Sequence, residues 1–123
     1  MKQSTTGKGK WGEEVARRYL ERKGYRILFT NWRAERGDID IIAEDGNTLV
    51  FVEVKSGSSE KYGSPELRIT PGKKRQLYKL ATVYLAEYTN QIKHYESIRF
   101  DAVIVDGNRN QFQIRHYPGA IQL

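Results

Sequence analysis

Val50-Phe51-Val52-Glu53-Val54-Lys55 has the apolar content of a buried strand, yet it carries a carboxylate and an ammonium two residues apart. Side chains alternate along a strand, so Phe51, Glu53 and Lys55 share one face and the three valines share the other. An unpaired charge in such a place is unfavourable by several kcal/mol, so Glu53 and Lys55 need each other or a further partner.

The chain just before this segment supplies one. Asp45-Gly46-Asn47 is a turn signal, and Asp38–Ala43 ahead of it is β-leaning. If Asp45-Gly46 forms a two-residue hairpin loop, Glu44 faces Asn47 and Asp40 faces Phe51. Asp40 is then diagonal to Glu53 on the same face, roughly 7–8 Å away at the backbone. A three-residue loop would turn Asp40 to the other face, so the argument rests on this turn.

Further toward the N-terminus, Tyr25–Arg33 reads as another strand, making a three-strand antiparallel meander. Trp11–Lys23 places Trp11, Val15, Ala16, Tyr19 and Leu20 at helical spacing, and Gly24 follows as a stop. Glu13 stands three and seven residues before Ala16 and Leu20, on the edge of that apolar stripe. Glu14 has an ordinary explanation in Arg17 and Arg18, one helical turn on; Glu13 has none.

Toward the C-terminus, Ser56–Pro71 has no sustained period and reads as a surface loop beside the motif. Gly72 to about Tyr88 repeats Leu77, Leu80, Ala81, Tyr84, Leu85 and Tyr88 at helical spacing. Ile98–Val105, the turn Asp106–Asn110 and Gln111–Tyr117 close the chain with two strands. The order α-β-β-β-α-β-β predicts an α/β core, a central mixed sheet flanked by two helices, with one parallel pairing made through the second helix. One domain over 11–117 is expected, with a flexible basic tail at 1–10 and a C-terminal tail at 118–123.

Composition narrows the function. The 123 residues contain no cysteine, which excludes disulfides, thiolate metal sites and a cysteine nucleophile. No run approaches the roughly 18 apolar residues of a membrane span, so no membrane partner is expected. The N-terminus lacks the apolar run of a secretory signal, leaving the cytoplasm as the default compartment. The net charge of +6 is unevenly spread: Met1–Arg36 holds ten basic against four acidic residues, Gly37–Ser56 one against five, and Gly57–Leu80 six against two. Basic flanks attract polyanions, and an acidic island is most simply explained by a cation among the carboxylates.

Carboxylate oxygens without cysteine or a nearby histidine point to Mg²⁺ or Mn²⁺, which keeps waters and accepts substrate phosphate in its shell. Lys55 can then orient or activate a nucleophile. Lys73, Lys74 and Arg75, opening the second helix, can contact phosphates, although a solvated helix face explains them equally well. For Glu53 and Lys55 the bland alternative is an ion pair on an edge strand. His94 and His116 lie apart from the motif. Trp32, Tyr62 and Tyr95 can stack on unpaired bases, though such residues more often serve packing.

With these residues together, the chain resembles the PD-(D/E)XK nuclease superfamily, whose pattern is an Asp, a spacer and Glu-x-Lys, here Asp40, Glu53 and Lys55. The surroundings narrow this: Gly12-Glu13 with Ala16, Leu20 and Gly24-Tyr25, Asn31-x-Arg33, Gly37-Asp38-Ile39-Asp40, Lys73 and Arg99-Phe100-Asp101 resemble the bacterial YraN-like family, related to archaeal Holliday-junction resolvases. The resemblance implies a restriction-endonuclease-like fold with a metal site at Asp40 and Glu53, with Val54 between the motif positions. Lys55 would be the catalytic lysine, and Glu13 the helix acid assisting the metal. It also implies hydrolysis of phosphodiester bonds in DNA, branched or junction forms included, and a homodimer; RNA is not excluded. Two positions depart from the pattern: Asp38 stands where Glu is usual, and Gly57 where a basic residue often follows. The competing readings are a non-catalytic nucleic-acid binder retaining the fold and a protein-interaction module whose carboxylates are structural.

Overall fold

β-Branched and aromatic runs separated by glycine turns give five strands, and the two amphipathic segments give the helices that cover them. A computed structural model of the chain describes residues 7–59, 63–90 and 94–121. In chain order the elements are α1 (Gly7–Arg22), β1 (Arg26–Ala34), β2 (Gly37–Asp45), β3 (Thr48–Gly57), a 3₁₀ turn (Pro65–Arg68), α2 (Pro71–Glu87), β4 (Ser97–Asn108) and β5 (Gln111–Tyr117). The strands form one sheet in the order β1-β2-β3-β4-β5. Every pairing is antiparallel except β3 with β4, which run parallel because the chain crosses over through α2. This is the predicted α/β arrangement, a mixed sheet between two helices.

The two faces of β3 have different tenants. Val50, Val52 and Val54 join Ala16 and Leu20 of α1, while Phe51 packs with Leu77, Leu80 and Tyr84 of α2. β3 is therefore buried from both sides, with Leu49 through Val52 at 0 % exposure. That position makes Glu53, one residue further on, an expensive residue to keep. No helix among the described residues is long and apolar enough to cross a membrane.

Beside strand ends that run on, β4 as far as Asn108 through most of the expected turn, three differences from expectation bear on the core and the site. α1 starts at Gly7, so Gly7–Lys10 of the expected tail are helical; Met1–Thr6 lie outside the described residues. The C-terminal stretch expected as a tail is partly core: Ile121 is buried against α2 and β4, and its N–H donates to Phe100 O. The β2–β3 turn is Gly46-Asn47, one residue later than expected, so Asp45 pairs with Thr48 and Ile41 with Val52. Gly46 has φ of 61°, and glycine at the first central position is what a type II′ hairpin turn requires. The shift moves the register by a whole pair and keeps its parity.

The loop after β3 is tied down in its second half. Arg115 of β5 donates to both oxygens of Glu66, at 2.6 and 3.0 Å, and to Asp106 at 3.0 Å. Tyr117 donates to Glu66 as well, and Arg68 caps Ser56 O at 2.5 Å.

Candidate active site

Continued one step past Ile41 and Val52, the β2–β3 register sets Asp40 opposite Glu53 instead of diagonal to it. The regular ladder yields here. Asp40 Oδ2 accepts the main-chain N–H of Val54 at 2.7 Å, a side-chain oxygen doing the work of a backbone carbonyl. Alternation along β2 slips at the same residue: Ile41 and Ala43 belong to the α1 side, whereas both Ile42 and Ile39 belong to the α2 side. Val54, read as part of the metal set, thus meets Asp40 through its main chain.

Glu53 is almost wholly buried, its side chain 3 % exposed, and two ammonium groups approach the same oxygen. Lys55 Nζ lies 3.4 Å and Lys73 Nζ 3.7 Å from Oε2. Lys55 arrives from the same strand face; Lys73 arrives from the first turn of α2. That turn is capped by Thr70, whose hydroxyl accepts the Lys73 N–H, and it carries no acidic residue. A helix N-terminus followed by Lys73, Lys74 and Arg75 concentrates positive potential next to Glu53.

Glu13 enters from α1, which can lie close to β3 because residue 12 is glycine. A Cβ there would stand 2.5 Å from both Cβ and Oγ of Ser56. Glu13 Oε1 is buried and has no hydrogen-bond partner among the described residues.

The electrostatics bind these carboxyls together. Burial, followed by the Glu53 and Glu13 charges, pushes Asp40 well above the usual carboxylate range, against the Val54 N–H and Lys73. Burial also raises Glu53, although Lys73 and Lys55 oppose it. Glu13 is raised by burial, with Asp38 and Glu53 adding to it and hydrogen bonding from Asn31 and Asp40 pulling the other way. Each of the three acids is thus harder to ionise than in water, a condition that added positive charge relieves.

Among the described residues no three acidic, histidine or cysteine side chains are grouped as a self-sufficient metal cage. Asp40 and Glu53 side by side, with buried oxygens nearby that lack donors, instead match a hydrated Mg²⁺ or Mn²⁺, which takes one or two carboxylates.

Glu13, Asp40, Glu53, Lys55 and Lys73 therefore converge, as the sequence suggested. Lys74 and Arg75 do not join them: Lys74 lines a cavity of about 310 Å³ with Glu66, Ile69, Ala102 and Tyr117, and Arg75 is exposed. His116 belongs to a separate network, with Nε2 2.8 Å from Asp101 Oδ2. His94 is exposed, Trp32 is core, Tyr95 donates to Glu44, and Tyr62 lies outside the described residues. Sequence reasoning marked Asn31 only as a family-like position, in Asn31-x-Arg33, and gave it no role in the site. β1 places it opposite Asp40, between the Thr30–Ile41 and Trp32–Ile39 pairs, with φ of 53°.

A family model described as "Uncharacterised protein family UPF0102" matches residues 12–105. A UPF0102 protein of Syntrophus aciditrophicus is 50% identical over 97 residues, covering 79% of this chain and 74% of its own. One from Geobacter metallireducens is 44% identical over 115 residues, covering 94% and 92%. One from Sulfurihydrogenibium is 44% identical over 118 residues, covering 96% of both.

Proposed function

The chain belongs to the UPF0102 family, and from that premise and the geometry of the site we propose that it is a metal-dependent endonuclease acting on DNA. The observation that carries this reading is the convergence on Glu53 of Lys55, Lys73 and Asp40 where β2 and β3 part. A carboxylate pair buried beside two lysines, at a helix N-terminus free of acidic residues, suits a phosphodiester: the acids hold a cation and the lysines meet phosphate oxygens.

Asp40 and Glu53 would hold Mg²⁺ or Mn²⁺, which when bound supplies positive charge to the scissile phosphate and acidity to a water. Lys55, its side chain 26 % exposed, would orient a water for attack on phosphorus. Lys73, on α2, faces the same carboxylate from the other side and is placed to hold a non-bridging oxygen. Glu13, raised by burial, holds its proton more readily than an exposed carboxyl and is suited to proton exchange. Two copies of the chain would bring two such centres to opposing strands.

The test is cleavage of labelled linear duplex, single-stranded, flapped and four-way-junction DNA, with an RNA control, in Mg²⁺ or Mn²⁺. Wild type should cut, and Asp40→Ala, Glu53→Ala and Lys55→Ala should not while remaining folded. Binding of these substrates without cleavage in either metal would replace the proposal with the non-catalytic binder.

A further inference from the structure

Asn31 stands out on three counts. Among the described residues it is the one non-glycine with positive φ. Asparagine tolerates the left-handed region better than most residues, but strain of this kind persists where surrounding packing imposes it, and it gathers at functional sites. Here Trp32, 7 % exposed in the core, fixes the chain on one side. Second, the β1–β2 register puts Asn31 beside Asp40, at the point where β2 loses its alternation. Third, its side-chain oxygen Oδ1 is buried without a hydrogen-bond partner among the described residues, as is Glu13 Oε1.

These facts constrain the amide. The amide has an accepting and a donating end, and it is the accepting Oδ1 that is buried and unmet. Asn31 Oδ1 and the Oε1 of an ionised Glu13 are both acceptors and cannot satisfy each other; both need donors. The nearby ammonium groups of Lys55 and Lys73 are engaged with Glu53. In a pocket of mutually repelling carboxyls, donors that also reduce negative charge are waters polarised by a divalent cation.

We infer that Asn31 is a positioning residue: its Oδ1 accepts from the water shell of the cation held by Asp40 and Glu53. This rests on the metal reading above and extends it to a residue outside the Asp40, Glu53, Lys55 motif. A turn role alone would be met as well by glycine, which takes positive φ without strain.

The experiment is calorimetric titration of Mn²⁺ into the full chain, with melting temperatures measured without metal. Asn31→Gly relieves the backbone and removes the amide. It should keep the wild-type melting temperature or exceed it, and bind Mn²⁺ at least tenfold more weakly, as loss of an outer-shell contact does. Asn31→Asp retains an oxygen in place of Oδ1 and should bind Mn²⁺ at least as tightly as wild type, while melting lower in its absence. Wild-type affinity in folded Asn31→Gly, or affinity lost in Asn31→Asp, overturns the inference and leaves the metal site standing. Wild type that takes up no Mn²⁺ overturns both.

Discussion

Lys73, the third helical residue of α2, lies 3.7 Å from Glu53 Oε2, so the start of a helix and the middle of a sheet meet at one carboxylate. Because Lys73 is the largest influence opposing the rise of Glu53, it tunes the acid, and on the proposed function it also meets a phosphate. Lys73→Ala should weaken DNA binding across sequences and reduce the salt slope of log affinity by about 1, the signature of one lost phosphate contact. Anisotropy titrations over a salt series measure this; an unchanged slope would assign Lys73 to Glu53 alone.

Asp40→Asn should stabilise the protein while destroying activity. A carboxyl whose folded pKa is raised keeps its proton longer in the folded state. Its contribution is complete below the ordinary carboxylate range and is lost as pH climbs to the folded value, so ionised Asp40 weighs against folding. The amide has no charge to bury and retains an oxygen for the Val54 N–H. Urea unfolding near neutral pH should show a gain of about 0.5–2 kcal/mol that vanishes toward pH 4. Cleavage should fall on the order of 10²-fold or more.

Divalent cations should raise the melting temperature of wild type and not of a Glu53→Gln variant. A ligand at one hundred times its dissociation constant stabilises by about 2.7 kcal/mol. Thermal melts in Mg²⁺, Mn²⁺ and chelator test it; equal shifts in both proteins would place the cation elsewhere.

Gly12→Ala should be costly despite alanine's better helix propensity, because the new methyl meets Ser56 at 2.5 Å. Forcing α1 off β3 should destabilise by about 1–3 kcal/mol. Ser56→Gly in the same chain should recover most of it, and a double-mutant cycle by denaturant unfolding reads the coupling.

Asp101→Ala should be the most damaging substitution away from the site. Asp101 is fully buried, and burial alone would raise its pKa. Hydrogen bonds from His116, Arg99 and the Gly119 N–H outweigh burial and hold it below the usual range. Its stabilisation is therefore present above the ordinary carboxylate range and lost as pH falls toward the folded value. Removing it leaves His116 and Arg99 short of a shared partner, for about 3–5 kcal/mol by chemical denaturation.

Much of this fold can be read from periodicity: β5 coincides with the expected Gln111–Tyr117, and α2 shifts by one residue at each end. The β2–β3 turn was harder because Asp45-Gly46 and Gly46-Asn47 are both credible loop dipeptides. The choice is made by where glycine's positive φ is needed, which a residue list does not state. Glu13 was legible because helical geometry leaves it beside Ala16 and Leu20. Asn31 was legible only as part of Asn31-x-Arg33; its place in the site comes from a backbone angle and from a neighbour across the sheet. The cations opening α2 illustrate the same limit: three adjacent basic residues look equivalent in sequence, yet one helical turn sends Lys73 to Glu53 and Lys74 to another cavity.

The parallel pairing of β3 with β4 bears on when the protein becomes active during its manufacture. Glu13, Asp40, Glu53, Lys55 and Lys73 all leave the ribosome before any of β4, yet the strand that carries Glu53 and Lys55 is flanked on one side by β4 along its whole length. A chain made as far as the first turn of α2 holds all five of these groups and lacks the neighbour that braces two of them. On the proposed function, competence to cut arrives only once β4 is made, which would spare the cell a nicking fragment tethered to its own translation machinery.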